Sequence, residues 1–171
     1  MNNAIYFNES QRFNNVYVWV VLALVHIILI GVICAIYIKA NGEHKPKAII
    51  GFWIGEAVAG VVTALILASQ LLTTVREDGI YVKFVPFVSE ERKYAWEDIK
   101  ECYIREYKPV KEYGGWGVRS GGKSGTAYNI SGNQGIQLVF KNGERVLIGT
   151  NEPAEATKAL QQLGQWKPAI N

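Results

Sequence analysis

The sequence predicts a membrane helical hairpin followed by a β-rich domain. That domain is an antiparallel curled sheet of about seven strands with one C-terminal closing helix. Three observations carry the prediction. Two long apolar segments stand near the start, period-two alternation begins where the second one ends, and a single amphipathic helical pattern follows the last strands. The averages over 171 residues, 49% apolar and 19% charged with mean hydropathy +0.05, conceal this division. They argue against a soluble single-domain enzyme and rule out intrinsic disorder.

Residues 1–15 read as a polar N-terminal tail with Arg12 as their one basic residue. From Val16 to Ile38, 21 of 23 residues are apolar, with His26 and Gly31 the exceptions; from Ala48 to Leu72 the count is 18 of 25. A bilayer core of about 30 Å takes about 20 residues of helix, so both segments (16–38 and 48–72) read as transmembrane spans. Tyr17, Trp19, Tyr37, Phe52 and Trp53 stand near the span ends, where aromatic side chains favour the interface. The first run is too long for a signal-peptide core, no small-x-small cleavage site follows it, and Ile33 precedes Cys34 where a lipoprotein site wants a small residue. An uncleaved anchor is expected.

The link contains Asn41-Gly42 and Pro46, which are turn signals. A hairpin puts both chain ends on one side of the membrane. Charge leaves the orientation open, because Lys39, Lys45 and Lys47 in the link balance Arg12, Arg76, Lys83 and Arg92 on the other side. Cys34 lies at membrane depth and Cys102 in the β-rich part, so no disulfide framework is implied.

The β-rich domain is read as residues 73–171. Ile80, Val82 and Phe84 alternate after a tight turn at Asp78-Gly79, and Ser89–Arg92 reads as the next turn. Alternation returns over Ile99–Tyr107 and at Ile136, Leu138 and Phe140. Asn142-Gly143 is a hairpin signal, with Val146 and Ile148 after it. Thr150-Asn151-Glu152-Pro153 reads as a helix entry, and Ala156, Leu160 and Leu163 recur at helical spacing.

Strand pairs ending in one helix resemble a pleckstrin-homology (PH) domain. The stretches YAWEDI (94–99), YGGWGVR (113–119) and GIQLVFKNGERVLIGTNEP (135–153) are similar to the PH-like domain of small bacterial membrane proteins that carry two transmembrane helices before it. The resemblance implies a multi-pass protein of the inner (plasma) membrane with its C-terminal domain in the cytoplasm. PH domains are associated with phosphoinositide headgroups bound by basic residues of the first hairpin. Here that turn is Arg76-Glu77-Asp78-Gly79, more acidic than basic, so headgroup recognition of that kind is not expected. Residues 73–171 hold 14 basic and 12 acidic side chains, which is no nucleic-acid surface.

Gly117–Ser124 fits the phosphate-loop pattern of two glycines four apart followed by Lys-Ser. That chemistry needs a buried strand before the loop and a helix after it. The residues that follow are glycine-rich, and eight glycines in 114–135 make a chance match easy. A hairpin loop is the reading. Trp116, Arg119 and Lys123 within it are candidate partner-binding residues, weighed against the more ordinary reading that Trp116 is wedged into the core.

Glu56 is the costly residue of the spans, because a carboxylate at membrane depth tends to face protein. It shares a helix side with Gly60, Ala64 and Ala68, and a second small-residue row runs Gly51, Gly55, Ala59, Thr63. Such rows permit close helix packing, including homo-oligomers. His26 lies about one turn from Glu56 in depth, which makes a hydrogen bond between them feasible. A polar clip between helices is preferred to a proton relay or ion site. The two histidines, His26 and His44, lie in a span and in the link. The β-rich part therefore has no histidine for a triad or a zinc site, and no enzyme activity, cofactor or metal is expected. The expected role is a membrane-anchored, non-enzymatic module that binds an unidentified protein partner. The alternative is a proton- or ion-responsive site at Glu56 and His26, regulated by the β-rich domain.

Overall fold

The computed structural model describes residues 4–13, 16–39 and 45–167. It divides into two compact units, Asn14–Ala68 and the pair of segments Met1–Phe13 with Ser69–Asn171. The expected turn at Asn41-Gly42 and His44 lie outside the described residues.

The first unit is a pair of helices, α1 (Val16–Lys39) and α2 (Lys45–Ala68). Both are long and apolar enough to cross a membrane. Their less exposed positions recur every three or four residues: Val18, Leu22, His26, Leu29 and Ile33 on α1, and Phe52, Gly55, Glu56, Ala59 and Thr63 on α2. The Gly55 row therefore provides the face toward α1, where a Cβ on Gly55 would meet Leu29 Cδ2 at 3.7 Å. Gly60, Ala64 and Ala68 face outward. No residue of α1 is buried, so its apolar side chains, Ile27, Ile28 and Ile30 among them, stay open to the surroundings. Water makes such exposure unfavourable, and lipid does not.

The second unit holds two sheets. One is an antiparallel meander in the order β1 (Ile5–Arg12), β2 (Gln70–Arg76), β3 (Gly79–Val85), β4 (Val88–Ala95). The other contains β5 (Ile99–Glu106), β6 (Gly117–Ser120), β7 (Thr126–Asn129), β8 (Gln134–Phe140) and β9 (Arg145–Gly149), in the order β5-β8-β9-β7-β6. A short α3 (Pro109–Tyr113) and the closing α4 (Pro153–Gln162) complete it. The main core joins Leu71, Val75, Ile80, Val82 and Phe84 of the meander to Ile99, Ile136, Leu138 and Ile148 of the second sheet, with Ala156, Ala159 and Leu160 of α4. The turns at Asp78-Gly79 and Asn142-Gly143 are where the sequence puts them. Gly143 has φ +89°, which an L side chain rarely adopts.

Four expectations are corrected. Residues 1–15 are not simply a tail, because β1 pairs with β2 in register from Arg12↔Gln70 onward. The helix pair is thus an insertion inside a β-hairpin. Second, α2 ends at Ala68 rather than Leu72; Gln70–Leu72 are strand and Leu71 is fully buried. Apolar composition alone cannot separate the end of a span from a buried strand that follows it. Third, Ser89–Arg92 lie within β4, and the turn falls at Pro86-Phe87. Because β4 is a sheet edge, its charged residues Glu90, Glu91, Arg92 and Lys93 sit in solvent without interrupting the strand. Fourth, nine strands are found among the described residues rather than about seven. They form two sheets, and β7 runs parallel to β9.

Candidate functional site

The structure brings His26 and Glu56 together. His26 Nδ1 lies 2.7 Å from Glu56 Oε2, and His26 Nε2 lies 3.3 Å from Thr63 Oγ1. Glu56 and Thr63 are seven residues apart, two turns along α2, so one imidazole on α1 reaches both. Glu56 Oε1 is buried with no hydrogen-bond partner. An imidazole and a carboxylate in contact can share one proton, and each satisfies a polar group that hydrocarbon would leave bare.

The loop trio is divided. Trp116 belongs to neither buried cluster and is partly exposed; its Nε1 donates to Gly132 O at 3.4 Å. The core reading of this side chain is therefore corrected. Arg119 is exposed and its Nε donates to Trp116 O at 2.9 Å, while Asn129 Oδ1 accepts from Gly117 N at 2.9 Å. Trp116 is thus held by the hairpin beneath it. Lys123 lies elsewhere, on a cleft of about 510 Å³ that Arg92, Tyr94, Tyr128, Glu144 and Arg145 also line.

The phosphate-loop lookalike folds as strand β6, a 3-10 turn (Gly122–Ser124) and strand β7, so no helix follows its lysine. A polar network anchors its base. Arg105 Nη2 donates to Glu112 Oε2 at 2.7 Å and to Tyr113 OH at 3.2 Å, and Tyr113 OH donates to Ser124 O at 3.2 Å. The Arg105 bond holds the Glu112 carboxyl below its ordinary pKa. At Gly121 a Cβ would come within 2.4 Å of Glu112 O, so only glycine fits there.

Two groups escape the sequence reading. The first is the inner face of β1, where Phe7, Glu9 and Gln11 are buried. Thr150 Oγ1 donates to Glu9 Oε2 at 2.6 Å, Asn151 N donates to Glu9 Oε1 at 2.8 Å, and Gln11 Nε2 donates to Gly149 O at 2.7 Å. This strand therefore organises the entry to α4. Burial raises the Glu9 pKa, and these hydrogen bonds offset only part of the shift. The signal in the sequence is alternation at residues 7, 9 and 11, which polar side chains disguise. The second group is the tyrosine pair, where Tyr94 OH donates to Tyr128 OH at 3.2 Å. Burial pushes the Cys102 thiol up to about 12, which leaves it unreactive at neutral pH. Among the described residues, no group of three or more His, Cys, Asp or Glu side chains is placed to hold a metal ion.

The molecule so defined is a β-rich unit of two sheets and a closing helix, interrupted by two helices long and apolar enough to span a membrane. The chain belongs to a family of unknown function, DUF6141, whose model matches residues 2–163. No curated protein and no solved structure matches it.

Proposed function

We propose that the chain is a membrane-anchored, non-enzymatic interaction module. In this reading α1 and α2 span the inner (plasma) membrane of a bacterial cell, and the β-rich unit, PH-like in kind, works in the cytoplasm and docks a protein partner. The observation that carries it is Trp116, a large aromatic held partly exposed by its bond to Gly132 O, immediately before β6, the edge strand of its sheet. Val118 on that strand is 38% exposed and Val110 on α3 is 66% exposed. An edge strand that follows an anchored, partly exposed tryptophan suits an extended segment of a partner, which would gain main-chain hydrogen bonds from the strand. The test is purification of the full chain in mild detergent, with co-purifying proteins quantified for wild type, Trp116→Ala and Val118→Pro. A partner present with wild type and depleted with both variants is expected. Equal recovery from all three would overturn the reading.

A second reading has its own observation. The contact of His26 with both Glu56 and Thr63, and the partnerless Glu56 Oε1, suit a proton- or ion-responsive site between the helices.

A further inference from the structure

We propose that the cleft shared by β4, the β6–β7 hairpin and the start of β9 binds a phosphorylated small molecule, with Arg92, Lys123 and Arg145 recognising its phosphate monoester. The three cations come from separate parts of the chain and line one cavity of about 510 Å³. That volume accommodates a phosphate together with a small organic body. Glu144 is the acidic residue of the lining, so the formal balance is three positive charges against one, net +2. Among the described residues, no ion pair involves Arg92, Lys123 or Arg145. No carboxylate neutralises them in an ion pair, and guanidinium groups suit the geometry of phosphate oxygens.

The tyrosines supply the second element. Tyr94 and Tyr128 both line the cleft, and Tyr128 is 1% exposed. Tyr94 OH and Tyr128 OH are hydrogen-bonded to each other at 3.2 Å. A pair of hydroxyls on a basic cleft adds hydrogen-bonding groups that suit an anion's oxygen. The Arg92 side chain reaches both hydroxyls and, like any guanidinium, carries its charge at neutral pH. This site is distinct from the acidic first hairpin turn at Glu77-Asp78, and distinct from the β6 edge.

A phosphate monoester is carried by soluble molecules and by lipids such as phosphatidic acid. The cavity volume favours the soluble kind. The experiment uses the full chain in phosphatidylcholine nanodiscs, titrated calorimetrically with phenyl phosphate and with inorganic phosphate. A parallel arm measures the effect of phosphatidic acid in the disc. Saturable binding of phenyl phosphate is expected, tighter than that of inorganic phosphate. Arg92→Gln and Arg145→Gln should each weaken it about tenfold or more, as the loss of one charge-assisted hydrogen bond implies. Lys158→Gln, an exposed lysine on α4, should leave it unchanged. Thermal unfolding of each variant confirms that it is folded. Three results would overturn the proposal: no saturable binding of phenyl phosphate, equal weakening in Lys158→Gln, or loss of phenyl phosphate binding that is equal in discs with and without the Arg92→Gln and Arg145→Gln substitutions once phosphatidic acid is present.

Discussion

Removing β1 from the β-rich unit should cost a large share of that unit's stability. Two chains that lack the helix pair make the comparison. In one, residues 4–13 are joined to 69–171 through a Gly-Asn-Gly turn that replaces the helix pair; the other is 69–171 alone. The join is short because Arg12 and Gln70 are paired across β1 and β2. Phe7 is 6% exposed, and burying a side chain of this size contributes about 1.5–3 kcal/mol. The bonds from Thr150 and Asn151 to Glu9, and from Gln11 to Gly149, contribute about 1 kcal/mol each. Their loss also leaves the entry to α4 without its partners. The sum is roughly 4–6 kcal/mol against a typical domain total of about 5–15 kcal/mol. Urea unfolding followed by far-ultraviolet circular dichroism measures both chains. The joined chain should unfold cooperatively with a β-rich spectrum. The chain without β1 should show a much lower midpoint or no cooperative transition. If 69–171 alone unfolds within about 1 kcal/mol of the joined chain, β1 is dispensable and the reasoning fails.

Glu9 tests the sign of a buried carboxyl. Its pKa is raised from 4.5, so the protonated form is favoured in the folded state. Its contribution to stability is full below that ordinary value and is lost as pH rises through the folded value. In the joined chain, Glu9→Gln keeps an acceptor for Asn151 N–H without burying a charge. It should flatten the fall in stability on the alkaline side of 4.5, and an unchanged pH slope would refute the assignment. In the helix pair, Glu56→Gln should leave α1–α2 association nearly unaltered, while Glu56→Leu should weaken it by about 0.6–2 kcal/mol. This is measured by energy transfer between labelled helices in lipid. If the deletion phenotype in cells is rescued by wild type but not by well-expressed Glu56→Gln, the proton-responsive reading gains the case. Finally, the strand after Gly122–Ser124 predicts no magnesium-dependent ATP or GTP binding by the full chain. Micromolar, magnesium-dependent affinity that disappears in Lys123→Ala would contradict it.

Elements whose signal is local were legible in the residues. Predominantly apolar segments of more than 20 residues announce α1 and α2 whatever surrounds them. Asn142-Gly143 demands a hairpin because glycine alone readily supplies the backbone angle found there. Ala156 and Leu160 mark the buried side of α4 by spacing alone. The depths of His26 and Glu56 along their spans make a contact between them feasible from the sequence, and the helix pair forms it. Elements whose signal is distant were not legible. The buried face of β1 is largely polar, and it becomes interior only because Thr150 and Asn151, about 140 positions away, satisfy Glu9. No window of the sequence contains both halves of that bond. Charged β4 reads as a turn until the sheet makes it an edge, where charge costs little. Trp116 stays outside the core because the hairpin beneath it holds it there. Lys123, a few residues further on, lines a different cleft because the packing of two sheets carries Arg92 and Arg145 to it. Length and periodicity are properties of a segment, so the sequence alone determined the helices, the closing helix and the tight turns. Which faces met was decided by the tertiary structure, because burial and hydrogen-bond satisfaction are properties of pairs that the chain brings together only on folding.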